Sequence, residues 1–234
     1  MPRAVNCKHC DVQYVGGVPA YAGGVAESVS RAERKELTRQ RLLDVTLKMI
    51  TNRSLASISL REVARAAGIV PTAFYRHFDS IDELGVELVD ECMRPLRQMV
   101  RDARRGVAAH GDIIRGTVDT LGEQVRAHPD QFRFLVRERY GGVGGVRRAN
   151  DTELRLFTSV LTVDQARLTV GYDWTTDDLE MTASLMVSAM LSAVLDLLEV
   201  DKRRAATQEQ EILDRASRQL RLIALGMSQW RSKP

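Results

Sequence analysis

The chain has 234 residues, of which 44% are hydrophobic, 28% charged and 5% aromatic, enough to bury a sizeable core and best divided into a small domain and a medium one. Near-average hydrophobicity, few aromatics and long stretches between breakers favour helices over strands; three cysteines exclude a paired disulfide framework and, with no basic-then-apolar leader, lead us to expect a reducing, cytoplasmic compartment. Net charge is +3, but residues 31–79 hold ten basic and five acidic side chains, a local +5 that leaves −2 elsewhere, and such clustering suits either a polyanionic partner or an ordinary solvated helix face.

Residues 1–29 are glycine-rich and without apolar periodicity, and are expected to form a disordered arm. Cys7 and Cys10 have the spacing of two zinc thiolates, yet no second Cys/His pair follows to complete four ligands, so no metal site is expected. From Ser30 the apolar residues fall at helical spacing through Ile50, predicting a first helix of about 20 residues. Asn52 to Ser57 interrupts it. Ser59 followed by Glu62 is a capping box opening a short second helix, Gly68 supplies a turn with positive φ, and Pro71 sits well in the first turn of a third helix ending near Phe78. Three short helices with a tight glycine turn between the second and third give a helix-turn-helix over residues 30–80.

Asp79 or Ser80 can cap a fourth helix, which carries Leu84, Leu88, Met93, Leu96 and Val100 up to a break at Gly106–Gly111. Further helices are predicted at about 112–127, 130–139, 146–169, 176–200 and 207–230. The Gly-rich stretch 141–145 lacks the Lys-Ser/Thr of a phosphate loop and reads as a linker. Met181 to Leu198 is broken by Ser184, Ser188, Ser192 and Asp196, and reads as a buried helix with no membrane insertion. Ile212, Ala216, Leu220, Ile223, Met227 and Trp230 make one stripe on the last helix. The last two helices could pair with their symmetry mates as a four-helix bundle or merely close the monomer core. The fold expected is all-α: an N-terminal three-helix DNA-binding domain and, over residues 81–234, a helical ligand-binding and dimerisation domain.

The segment from Ser59 to Phe78, SLREVARAAGIVPTAFYRHF, resembles the DNA-binding signature of the TetR family. Small residue, glycine turn, threonine, then Tyr-x-His-Phe on one short helix are correlated requirements. The resemblance implies a sequence-specific repressor that binds a palindromic double-stranded operator as a homodimer through its last two helices. In such a helix Thr72, near the leading end, would meet a base edge or a thymine methyl, and Tyr75 and His77 would meet phosphate. Arg76 could read a guanine edge or stay solvated, and Pro71 and Ala73 lie on the same segment. Lys35, Arg39 and Arg41 in the first helix would add backbone or minor-groove contacts, Ser59 and Arg61 at the start of the second are further candidates to contact DNA, and Phe74 and Phe78 would anchor the third helix to the core. Where many family members carry a lysine two or three residues after the motif's phenylalanine, this chain has Ser80 and Ile81, so that phosphate contact would be either absent or replaced by backbone N–H groups at the helix start.

That departure, with Ile81-Asp82-Glu83-Leu84-Gly85 and the stretch Phe132 to Arg139, is similar to the FabR and DesT repressors of unsaturated fatty acid synthesis. The similarity implies a long-chain acyl-CoA effector, its tail among Phe132, Leu135 and Phe157 and its phosphates near Arg133, Arg137 and Arg139, although all six are also ordinary core or ion-pair residues. A sensor of a drug or another metabolite is the rival within regulation. An acyl-thioester enzyme is disfavoured because His9, His77, His110 and His128 have no evident nucleophile partner, and no cofactor is expected. A non-specific nucleoid protein would not need so large an apolar body.

Overall fold

The computed structural model describes residues 14–15, 18–19, 30–106, 113–168, 174–200 and 205–232. Within the first stretch, Tyr14–Val15 and Val18–Pro19 pair as a two-residue antiparallel ladder. Helix α1 spans Arg31–Met49, and Ser30 starts it: its hydroxyl accepts the Glu33 N–H at 3.1 Å while the Glu33 carboxylate accepts the Ser30 N–H at 2.6 Å, so two of the orphan donors of a helix start are met. A single 3-10 turn, Leu55–Ser57, follows. Helix α2, Leu60–Ala66, opens on the Ser59–Glu62 capping box. The Ser59 N–H and hydroxyl both donate to the Glu62 carboxylate and hold it below the ordinary carboxylate range. Gly68 turns the chain with φ +71°, a conformation that costs glycine nothing.

Helix α3 is shorter than the sequence predicts. It covers Pro71–Phe74, after which the chain tightens: the N–H of Arg76 donates to the Ala73 carbonyl and that of His77 to Phe74, the three-residue spacing of a 3-10 turn. Phe78, whose N–H donates to the Phe74 carbonyl at 3.1 Å, lies in the core, where it is 2% exposed and its ring lies 5.8 Å from that of Phe74. Helix α4, Ile81–Gly106, is capped by Ser80, whose hydroxyl accepts the Glu83 N–H at 3.1 Å. Pro95 lies inside it and removes one intrahelical donor.

The remaining helices are α5 (Ile113–Ala127), α6 (Pro129–Glu138), α7 (Gly144–Leu168), α8 (Thr176–Leu198) and α9 (Ala205–Gln229). Helix α7 takes in the last glycines of the expected linker, which shortens the break after α6. Residues 38–234 form one compact unit with two apolar clusters. The first joins Leu42, Leu55, Val63, Phe74, Phe78, Leu84 and Leu88 to Phe134, Leu135, Val143 and Val146. It therefore crosses the expected boundary at residue 80, because α6 and the start of α7 close the core of the helix-turn-helix. The second cluster gathers Val118, Leu121 and Val125 with Phe132, Val194, Leu197, Leu213 and Leu220.

Helix α8 departs from its expected burial. By length and composition it could cross a membrane, with mean hydropathy 1.8 over its most apolar window, and only 22% of that window is buried. The serines and Asp196 do not lower it below that measure. Its buried side, with Leu179, Ala183, Ala193, Val194 and Leu197, packs within the chain, and Met181, Leu185 and Leu195 stay exposed.

Candidate DNA-reading face and effector cavity

The expected DNA-contacting residues separate into an outward set and an engaged set. Pro71, Thr72, Tyr75 and Arg76 are exposed, Tyr75 at 59%, while Ala73 and His77 are half-buried. Phe74 beneath them is fully enclosed, edge-on to the Tyr75 ring. The alternation follows from helical spacing, with Phe74 and Phe78 inserted in the core and Tyr75 and Arg76 between them turned outward. Arg61, on the first turn of α2, and Lys35, in α1, are exposed. The Ser59 hydroxyl is exposed but engaged in its capping box. Arg39 is held inward: it pairs with Glu87 at 2.9 Å and stacks over the Phe78 ring at 4.6 Å. Its guanidinium thus braces α1 against the end of the recognition segment and α4, and does not face outward beside Arg41.

An apolar cavity of about 540 Å³ lies among α4, α5, α6, α7, α8 and α9, within the usual range of small-molecule pockets, about 300–1,000 Å³. Phe132, Leu135 and Phe157 line it as the sequence suggests, with Met93, Leu96, Met186 and Met190. Methionines are unbranched and adapt to irregular occupants. Arg139 reaches the wall. Arg133 and Arg137 do not: Arg133 pairs with Asp130 at 3.0 Å on its own helix.

Arg137 has a different place. Its guanidinium donates to the carbonyls of Ile50 at 2.6 Å, Thr51 at 3.0 Å and Arg53 at 2.9 Å, so a side chain of α6 satisfies the open carbonyls at the end of α1. The neighbouring Glu138, 1% exposed, accepts the N–H of Leu55 at 2.9 Å and so holds the 3-10 turn. One helix therefore lines the cavity with Phe132, Leu135, Val136 and Arg139 and grips the helix-turn-helix with the two residues between them. Helical spacing could have disclosed half of this, since Glu138 falls three and four positions after buried Leu135 and Phe134, on the buried side of α6. The partners of Arg137 lie more than 80 residues away, and no local signal names them.

Residues 42–88 match the family model for bacterial regulatory proteins of the tetR family, a span that runs from α1 through the recognition segment into α4. Residues 42–88 thus form a DNA-binding domain of the tetR type. Solved structures resemble this chain along most of its length. NalD of Pseudomonas aeruginosa, described as the secondary repressor of the MexAB-OprM multidrug efflux pump, is 21% identical with a TM-score of 0.58, over 79% of this chain and 97% of that one. FadR of Thermus thermophilus, described as a transcriptional repressor in complex with lauroyl-CoA, is 19% identical with a TM-score of 0.52, over 84% and 97%. A transcriptional regulator from Pseudomonas aeruginosa PAO1 is 15% identical with a TM-score of 0.64, over 84% and 95%. At these identities the structures establish that the all-α fold is shared.

Among the described residues no group of three or more His, Cys, Asp or Glu is placed to hold a metal ion. Cys7, Cys10, His9 and His110 lie outside the described residues. His128 is the exposed N-cap of α6. Cys92 is buried against the first apolar cluster, and burial pushes its thiol up to about 12, so at neutral pH it is an inert packing group.

Proposed function

We propose that the protein is a homodimeric, operator-binding repressor whose DNA affinity is set by a long-chain acyl effector, an acyl-CoA in the fatty acid desaturation reading, held in the cavity between α4 and α9. The observation that carries this reading is the pairing, on α6, of cavity-lining residues with the Arg137–Glu138 grip on α1 and the 3-10 turn. On this reading Thr72 meets a base edge, Tyr75 and His77 meet phosphate, and Arg61, Arg76 and Lys35 add positive charge over the backbone. Arg39 acts indirectly, by fixing Phe78 and so the pitch of the recognition segment. The protein works where its DNA is, in the cytoplasm.

Dimerisation is supported by what the single chain leaves uncovered. Met181 and Leu185 on α8, and Leu222 and Leu225 on α9, are 45–72% exposed, and pairs four and three residues apart give each helix an apolar stripe. A second copy packing α8 and α9 against their mates covers both stripes in a four-helix bundle. Two recognition segments related by the twofold then meet half-sites about 34–36 Å apart, or a multiple.

An occupant that displaces α6 or bends α4 at Pro95 shifts the helix-turn-helix with it. It changes DNA affinity only as far as it prefers one geometry over the other. The apolar lining also suits a drug, the reading favoured by the likeness to NalD. Gel-shift titrations with saturated and unsaturated acyl-CoA separate the two: the acyl reading expects displaced curves that differ between the chains, and coincident curves with and without either thioester reject it. Genomic fragments selected by the protein should include a site upstream of a desaturase gene.

A further inference from the structure

The geometry points to Arg139 as the residue that reads the effector's head group, which makes the ligand an anionic single-chain amphiphile and not a neutral or cationic drug; this rests on the cavity being the effector site. The wall is apolar apart from a few side chains. Asn150 is committed, its amide donating to the Leu135 carbonyl at 2.6 Å while its side chain is 2% exposed. Arg167 is set against Asp164 at 3.9 Å. Arg139, half-buried, has no carboxylate partner among the described residues, and its guanidinium rests against the Tyr140 ring at 5.6 Å. Among the described residues, Arg139 is thus the cationic side chain of the cavity wall that no carboxylate matches.

Its position gives that charge a direction. Arg139 follows the last turn of α6, one turn beyond Leu135, which is buried at the cavity wall, and next to Tyr140, which is 82% exposed. An alkyl chain lying against Phe132 and Leu135 thus ends its apolar part where the guanidinium stands, beside solvent. A guanidinium presents a planar fork to paired oxygens and is weakly hydrated, so it takes an anionic head in a partly dry site better than an ammonium does. Favourable interaction with the carbonyl end of α6 explains a cation there, but an exposed side chain would serve that purpose equally and need not line the cavity. A carboxylate and a coenzyme phosphate both supply the required oxygens.

Calorimetric titration of the full-length dimer with dodecanoate, dodecyl phosphate, lauroyl-CoA and dodecanol tests the assignment. The anions should bind about tenfold more tightly than dodecanol, the size of one charge-assisted hydrogen bond. In Arg139→Met, which keeps the apolar stem, dodecanol should bind as before and the anion preference should fall to about twofold or less. Arg139→Lys should restore part of it. Dodecanoate tighter than lauroyl-CoA assigns the head to a carboxylate, the reverse order to the coenzyme phosphates. Dodecanol bound as tightly as the anions, or a preference that survives Arg139→Met in a variant with unchanged melting temperature, overturns the assignment while leaving the cavity as an effector site. Failure of all four to bind overturns both.

Discussion

The two ends of this molecule are packed to different standards. Around the recognition segment Leu42, Leu55, Phe74 and Leu84 are fully enclosed, and the second cluster keeps Leu197 and Ile212 at 9% beside an open cavity and the exposed stripes of α8 and α9. A filled core at near-crystalline density holds one geometry. A core left unfilled has a place for an occupant and for a second copy. The difference fits the proposed function, in which the DNA-reading face arrives preformed while the other end responds, and α6 is the helix that both ends share.

The comparison can be broken from its rigid side first. Phe74→Ala removes a fully enclosed ring from beneath Thr72 and Tyr75 and should cost about 3–5 kcal/mol, read as a lower midpoint in urea unfolding. A loss below about 1 kcal/mol would mean that the reading end is not tightly packed. Arg137→Met withdraws a charged donor from three carbonyls at the end of α1 and should cost about 1.5–3 kcal/mol. It should also flatten the effector dependence of operator binding, which distinguishes a grip that transmits from one that only stabilises. Gly85 sharpens the same contrast: a Cβ there would overlap Leu55 and stand 2.6 Å from Val146 Cγ2, so Gly85→Val should cost about 1–3 kcal/mol by overpacking the meeting of α4, α7 and the 3-10 turn. The smallest effect is expected at Ser59→Ala, about 1 kcal/mol for a lost N-cap, seen as a modest fall in thermal midpoint.

The reading end was legible because its signals are local. Ser59 and Glu62, Gly68 and Pro71 each fix the backbone within a few residues, and the structure has each in the expected place. Helix α3 ends at Phe74, before the expected Phe78, because the sequence places Phe78 in the core but does not tell an α-helical last turn from one tightened by the Arg76–Ala73 and His77–Phe74 bonds. Nothing local separates Arg39 from Lys35 and Arg41, since its partners, Phe78 and Glu87, lie nearly forty positions or more away. The sensing end was less legible. Its cavity is assembled from six helices, and Phe132, Leu135, Phe157 and Arg139 were found only as part of a larger basic and apolar set. Arg133 and Arg137 belonged to that set by composition, and their actual partners were fixed by tertiary packing.

The most direct measurement is operator affinity for Thr72→Ala and Tyr75→Ala in the full-length protein, across the selected operator and single-base variants of it. Tyr75→Ala should weaken every sequence alike. Thr72→Ala should lose about 1–3 kcal/mol of discrimination at particular base positions and leave the others unchanged. Wild-type affinity and base preference in both variants, with folding intact, would contradict the assignment of the Pro71–Phe78 segment as the reader of DNA.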